Sequence, residues 1–197
     1  MELERTTASF QPRARLVSIL GEQMISDSVV GLIELVKNAY DADASQVQVI
    51  LEGLEKTETT CITVEDDGFG MSAEDVLERF LSPAINHKAQ AKGRQERTPN
   101  YHRLPIGEKG VGRFAAQQLG RRFVLITRAS GQPEVVTEIL WDDFDRPDIR
   151  LSDVTFDVVQ RDPEVFTGGL WTCLRCCCGP ILTAFPERSA LAGVSVH

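Results

Sequence analysis

The chain has 197 residues, 42% apolar and 25% charged, the balance of an ordinary globular domain with one good-sized core. A formal net charge of −8 and a pI near 5.0 argue against a chain whose main task is gripping nucleic-acid phosphates. No run approaches the roughly 18 apolar residues of a membrane span, and MELERTTASFQPRAR holds no apolar signal core, so the expectation is no membrane partner and a cytoplasmic address.

In chain order, residues 9–20 predict a short helix, with Pro12 at its first position and an end near Gly21. Ser26 or Asp27 then caps a second helix running to about Tyr40. Residues 31–44, GLIELVKNAYDADA, combine the periodicity of a buried helix with a polar stripe. At about 100° per residue, Glu34, Asn38 and Asp41 fall within roughly 60° of one another. Buried carboxylates need a partner or a cavity. The stripe therefore either lines a pocket or is a solvated face.

Residues 46–51 and 61–65 alternate as two strands, the second running straight into Asp66-Asp67-Gly68-Phe69-Gly70-Met71. Ser72 and Asp75 have capping-box spacing and open a helix with Val76, Leu77, Phe80 and Leu81 on one side. Residues 82–105 lose all periodicity and concentrate Lys88, Lys92, Arg94, Arg97 and Arg103. Such a stretch is either a solvated loop or a flap over an anion. Three glycines, Gly107, Gly110 and Gly112, then precede an apolar pattern that Gly120 is expected to stop. Glycines before a helix let backbone N–H groups approach phosphate oxygens. Residues 122–128, 134–141 and 153–161 read as successive antiparallel strands.

Of the five cysteines, Cys61 opens a strand and Cys173, Cys176, Cys177 and Cys178 crowd near the end. They are expected to be reduced thiols. C-x-x-C-C-C looks like half a zinc site, without a second ligand pair at suitable spacing.

ELVKNAYDADA, VEDDGFGMS and IGEKGVGRFA, in this order, resemble the N, G1 and G2 boxes of the GHKL ATPases. That superfamily includes DNA gyrase, the large heat-shock chaperones, sensor histidine kinases and the MutL mismatch-repair proteins. The resemblance implies an α+β two-layer sandwich, a mixed and mostly antiparallel sheet with helices on one face, that binds ATP and Mg2+. By the same resemblance Glu34 is the general base for water, and Asn38 completes the magnesium shell. Asp66 accepts a hydrogen bond from the adenine amino group, Gly68 and Gly70 let the backbone pass close to the purine, and Met71 is an apolar wall. Gly107, Lys109, Gly110, Val111 and Gly112 match the phosphate-cradling turn, while Asp41 fits a structural role, bonding a lid or helix group.

Sensor kinases typically carry Asn at the position of Glu34, so Glu here favours ATP hydrolysis. A histidine-kinase-type domain and a nucleotide-gated interaction module with little turnover stay open as alternatives. The resemblance further implies a nucleotide-dependent homodimer in the full-length protein, with a following domain supplying a lysine. It does not choose a client protein or nucleic acid. The domain is expected to span residues 1–170, with residues 82–105 as its lid. Thr167-Gly168-Gly169-Leu170 only approximates the G3 box, and residues 171–197 change composition abruptly. One reading of that Cys-rich tail is that it is not native to the fold, through truncation or a shift of frame.

Overall fold

A computed structural model describes residues 9, 11–24, 27–81, 96–107, 112–162, 171–178 and 194–196. Lys109, Gly110, Val111, most of the expected lid (82–95), the G3-like segment 167–170 and residues 179–193 lie outside the described residues.

The first helix, α1 (Arg15–Met24), starts later than Pro12 suggests and runs past Gly21. Its entry is pinned instead: the Pro12 carbonyl accepts Leu151 N–H, and Ala14 N–H donates to the Ile149 carbonyl, both at 3.0 Å. Gly21 lies inside the helix rather than ending it, facing the flexible amide of Gln117. The second helix, α2 (Ser28–Asp41), is capped by Asp27, whose carboxylate accepts Val30 N–H at 2.9 Å. Gly31, Leu35 and Ala39 form its buried line. Gly31 lets the Ala115 carbonyl of the 3-10 helix Gly112–Gln118 come close.

Seven strands make one sheet in the order β5-β4-β3-β6-β2-β1-β7. They are β1 (Val47–Glu52), β2 (Cys61–Asp66), β3 (Arg122–Arg128), β4 (Glu134–Leu140), β5 (Val158–Arg161), β6 (Trp171–Cys177) and β7 (Val194–Val196). Each neighbouring pair is antiparallel. Val17, Leu35, Phe114 and Leu119 from the helical layer meet Val64, Phe123, Leu125, Leu174 and Cys176 from the sheet in one buried cluster. The fold is thus an α+β sandwich with helices on one face. Among the described residues, no single helix is long and apolar enough to cross a membrane.

The predicted capping box forms at α3 (Ala73–Asp75), with Asp75 N–H on Ser72 Oγ and Ser72 N–H on Asp75 Oδ2, each at 3.1 Å. The helix then widens into a π turn, Val76–Phe80, whose extra residue per turn breaks the α-helical spacing, and Leu77 is 51% exposed rather than on the apolar side. Phe80 stacks on Phe123 at 5.8 Å. Residues 153–157, expected in a strand, precede β5, and Leu151–Asp153 is a 3-10 turn. Gly120 follows the 3-10 helix, and its role is close approach: a Cβ would meet the Cys177 backbone at 2.7 Å.

Two expectations change at the C-terminal side. The domain edge placed at residue 170 falls just before β6, and β6 is an interior strand, paired on one side with β2 and on the other with β3. Its lack of alternation follows from burial on both faces: Leu174 and Cys176 join the main core, Cys173 a smaller cluster with Val124 and Ile126 on the opposite face. The cysteines are also not all free thiols. Cys61 and Cys177 face each other in register across β2 and β6 and form a disulfide. Their Cα atoms are 4.2 Å apart, the close spacing of an antiparallel pair not joined by ladder hydrogen bonds. Cys173 and Cys176 are buried, which pushes their thiols well above the usual range and keeps them protonated.

The disulfide joins residues 116 apart in sequence. On chain-entropy grounds its reduction is expected to lower stability by about 5 kcal/mol. Thermal melts with and without dithiothreitol measure this; a Cys61→Ser variant should melt at the reduced midpoint in both, whereas Cys173→Ser should keep the difference.

Candidate functional site

The polar stripe of α2 splits into distinct tasks. Glu34 is half-buried, and its Oε1 lies 2.6 Å from Lys37 Nζ one turn along. Asn38 follows one turn after Glu34, also half-buried. Asp41 is structural, as expected: Oδ1 accepts Ile106 N–H at 2.7 Å and Oδ2 accepts Gly107 N–H at 3.1 Å. Gly107 therefore uses its own N–H on Asp41, and donors for a phosphate in this segment have to come from beyond it.

The exit of α2 carries the second glycine segment. The Ala42 carbonyl accepts Phe69 N–H at 2.9 Å. Gly68 packs so tightly on Ala42 that a Cβ would lie 2.6 Å from its carbonyl oxygen and 2.7 Å from its methyl. Gly70 has a φ of +62°, and a Cβ there would sit 2.0 Å from the Arg128 carbonyl oxygen, so glycine alone fits. Met71 N–H donates to Thr127 Oγ1 at 2.9 Å. The end of α2 is thus joined to the segment after β2 through the Ala42 carbonyl and to the segment entering at Ile106 through the Asp41 carboxylate.

The two adjacent aspartates at the end of β2 differ sharply. Asp67 accepts Ser45 N–H at 2.6 Å, Gln46 N–H at 2.8 Å and the Ser45 hydroxyl. Burial alone would raise its pKa, but these hydrogen bonds outweigh burial and hold it below the usual carboxylate range. It ties the start of β1 to the end of β2. Asp66 is only 4% exposed, and among the described residues its carboxylate accepts one hydrogen bond, from Gly68 N–H to Oδ1 at 3.0 Å. Burial pushes it up to about 7, the Asp67 charge adds to this, and the Gly68 hydrogen bond partly offsets it. Asp66 keeps acceptor capacity for a donor that the described residues do not supply.

Sequence reasoning missed two neighbours of Asp66. Thr172 is its register partner on β6, and Thr127 is the partner of Thr172 on β3, their hydroxyls 3.0 Å apart. The row Asp66–Thr172–Thr127 lies across three strands, with both threonines buried. Register carried this information, and Thr172 sits in the stretch that composition set apart as a tail. Gly112 opens the 3-10 helix, whereas Lys109, Gly110 and Val111 lie outside the described residues.

Residues 26–161 match the family model described as histidine kinase-, DNA gyrase B- and HSP90-like ATPase. The chain belongs to this ATPase family. Within it, the chain is similar to the chaperone protein HtpG of Geobacter metallireducens, 28% identical over 146 residues, covering 66% of this chain and 22% of HtpG. It is similar also to HtpG of Salinispora arenicola, 29% identical over 147 residues, with 65% and 23% covered. The DNA mismatch repair protein MutL of Beijerinckia indica is 47% identical over 58 residues, 29% of this chain and 9% of MutL. The chain spans under a quarter of the length of the HtpG relatives. Membership supports ATP binding. The acceptors present suit it, with a buried Asp66 carboxylate that accepts one hydrogen bond among the described residues and keeps further acceptor capacity.

Proposed function

We propose that this chain binds Mg-ATP and hydrolyses it to ADP and phosphate, driving conformational change in a longer protein. The observation that carries the reading is the junction at the end of α2. The helix bearing Glu34 and Asn38 is hydrogen-bonded there both to the Asp66–Met71 segment, through Ala42, and to the segment entering at Gly107, through Asp41. This supports the reading, since Glu34, Asn38 and Asp66 stand on segments hydrogen-bonded to one another, and phosphoryl transfer depends mainly on positioning.

In this reading Asp66 accepts the adenine amino group, with Thr172 and Thr127 beside it, while Gly68, Gly70 and Met71 line the base. Asn38 holds magnesium without adding a negative charge, and the metal supplies charge neutralisation at the phosphates. Glu34 orients the attacking water and takes its proton. Lys109, Gly110, Val111 and Gly112 follow Gly107 toward the phosphates, Lys109 adding a cation. In the full-length protein, closure of residues 82–105 and nucleotide-dependent homodimerisation complete the cycle.

Calorimetric titration with ATP, with and without magnesium, tests the metal arm. Asn38→Ala is expected to lose the magnesium-dependent gain in ATP affinity, about tenfold or more, while adenosine binding stays unchanged. An unchanged magnesium dependence removes Asn38 from the metal shell, and a wild-type chain that binds no ATP overturns the reading.

A further inference from the structure

Among the described residues, the two non-glycine positions with positive φ, Asp43 (61°) and His102 (53°), lie in one small knot. Such backbone persists only where the surroundings over-determine it, and it clusters at functional sites. Asp43 lies just past the end of α2 and is 3% exposed. Its carboxylate accepts the Thr98 hydroxyl, Asn100 N–H at 2.8 Å and Tyr101 N–H at 3.3 Å. Thr98 closes the loop on itself: its Oγ1 accepts Arg103 N–H and its own N–H donates to the Arg103 carbonyl, both at 2.9 Å. The Arg103 guanidinium lies over Tyr40 and Tyr101, 4.7 and 4.5 Å from the ring centroids, and donates to the Ala44 carbonyl at 2.6 Å.

The roles assigned above leave Asp43 unused, yet its position has a consequence for them. Leu104 and Pro105 alone separate the knot from Ile106 and Gly107, whose N–H groups rest on Asp41. The three Cα–Cα steps from Arg103 to Ile106 reach at most about 11 Å, and the proline ring fixes one dihedral between them. Where the knot sits on α2 therefore decides where the glycine segment begins relative to Glu34 and Asn38. Aspartate suits this point, because it tolerates the left-handed region and its short carboxylate reaches two backbone N–H groups at once.

We propose that Asp43 is a positioning residue of the nucleotide site: by holding residues 98–103 on the end of α2, it registers the Ile106 and Gly107 N–H groups on Asp41 and thereby sets how the glycine segment meets the phosphates. The proposal rests on the ATP reading above and goes beyond it in separating phosphate affinity from base affinity. Asp43 itself touches no nucleotide.

Asp43→Gly keeps the left-handed backbone and deletes the carboxylate, whereas Asp43→Asn keeps an acceptor oxygen. Amide hydrogen exchange of the nucleotide-free chain reads the registration directly. Asp43→Gly is expected to lose protection at Ile106 and Gly107 by about tenfold or more, with Leu125 and Ile126 on β3 unchanged. Its Mg-ATP affinity should fall about tenfold and its adenosine affinity stay within about twofold, with Asp43→Asn recovering most of both losses. Unchanged protection at Ile106 and Gly107 in Asp43→Gly overturns the proposal, as does a parallel fall in ATP and adenosine binding. A wild-type chain that binds neither ligand sinks the ATP reading instead, and the exchange result alone then upholds or overturns the registration by Asp43.

Discussion

Glu34→Ala is expected to lower phosphate release by about 10²–10⁴-fold, the range for loss of a positioned general base. ATP affinity should stay within about threefold, because this carboxylate would act on water rather than on the nucleotide. The other carboxylate of the α2 stripe cannot take over: Asp41 holds Ile106 and Gly107. Lys37, at 2.6 Å, restrains the Glu34 carboxylate on the surface of α2. Lys37→Ala should therefore disturb turnover far less than Glu34→Ala does. Glu34→Gln keeps the shape and removes the base, so it should be as inactive as Glu34→Ala. Measured phosphate release from a Glu34→Ala chain at the wild-type rate would remove Glu34 from the reaction. Label appearing on histidine instead of in free phosphate would turn the reading toward an autokinase.

Asp66→Asn is expected to weaken adenosine binding by about 10–100-fold, the worth of a hydrogen bond to a charged acceptor. The same substitution should stabilise the chain at alkaline pH. Burial raises the Asp66 pKa from 3.8 to about 7, so folding favours the neutral acid. The sign follows from linkage: stability from this group is fully present below the unfolded pKa near 3.8 and is lost as pH rises through about 7. At pH 8 wild type carries a buried anion with one hydrogen bond, and Asp66→Asn is relieved of it by on the order of a few kcal/mol. That advantage should shrink steadily toward pH 4. Binding runs the other way, because the ionised form is the better acceptor for an amino group. With a pKa of about 7, adenosine affinity of the wild type should fall about tenfold between pH 8 and pH 6. Adenosine is the ligand of choice, since it brings no phosphate that titrates in this window. Denaturant melts and titrations at both pH values measure the two trends, and a pH-independent adenosine affinity would show that Asp66 does not read the base.

Much of the fold is legible along the chain. β3 is read at its structural bounds, Arg122–Arg128, because one face supplies Phe123 and Leu125 to the main core and the turn after it is marked by Gly131. The Ser72–Asp75 box and the Asp27 cap are local hydrogen bonds, written in three or four consecutive residues. β6 is not legible, because a strand buried on both faces loses the polar–apolar alternation by which strands are recognised. Its sequence, WTCLRCC, looks foreign only until it is placed between β2 and β3. The Cys61–Cys177 pairing is hidden for the same reason, since it depends on a register between strands far apart in the chain.

The candidate site divides along the same line. The resemblance carried by three boxes in order, rather than any one spacing, singles out the Glu34–Asn38 turn, the DDGFG segment and the glycines from Gly107 onward, since each box taken alone also fits a solvated face or a tight turn. Which of two consecutive aspartates is free to meet a ligand is a tertiary matter: Ser45 and Gln46 occupy Asp67, whereas Asp66 turns into the buried row with Thr172 and Thr127. So is the use of Asp41 and Asp43, whose carboxylates are consumed by N–H groups 57 or more residues away. Sequence by itself determined the family, since its three boxes are short local patterns that stand in order along the chain. The tertiary structure decided which carboxylates remain available for that chemistry, because hydrogen-bond partners brought from distant segments settle where each one is spent.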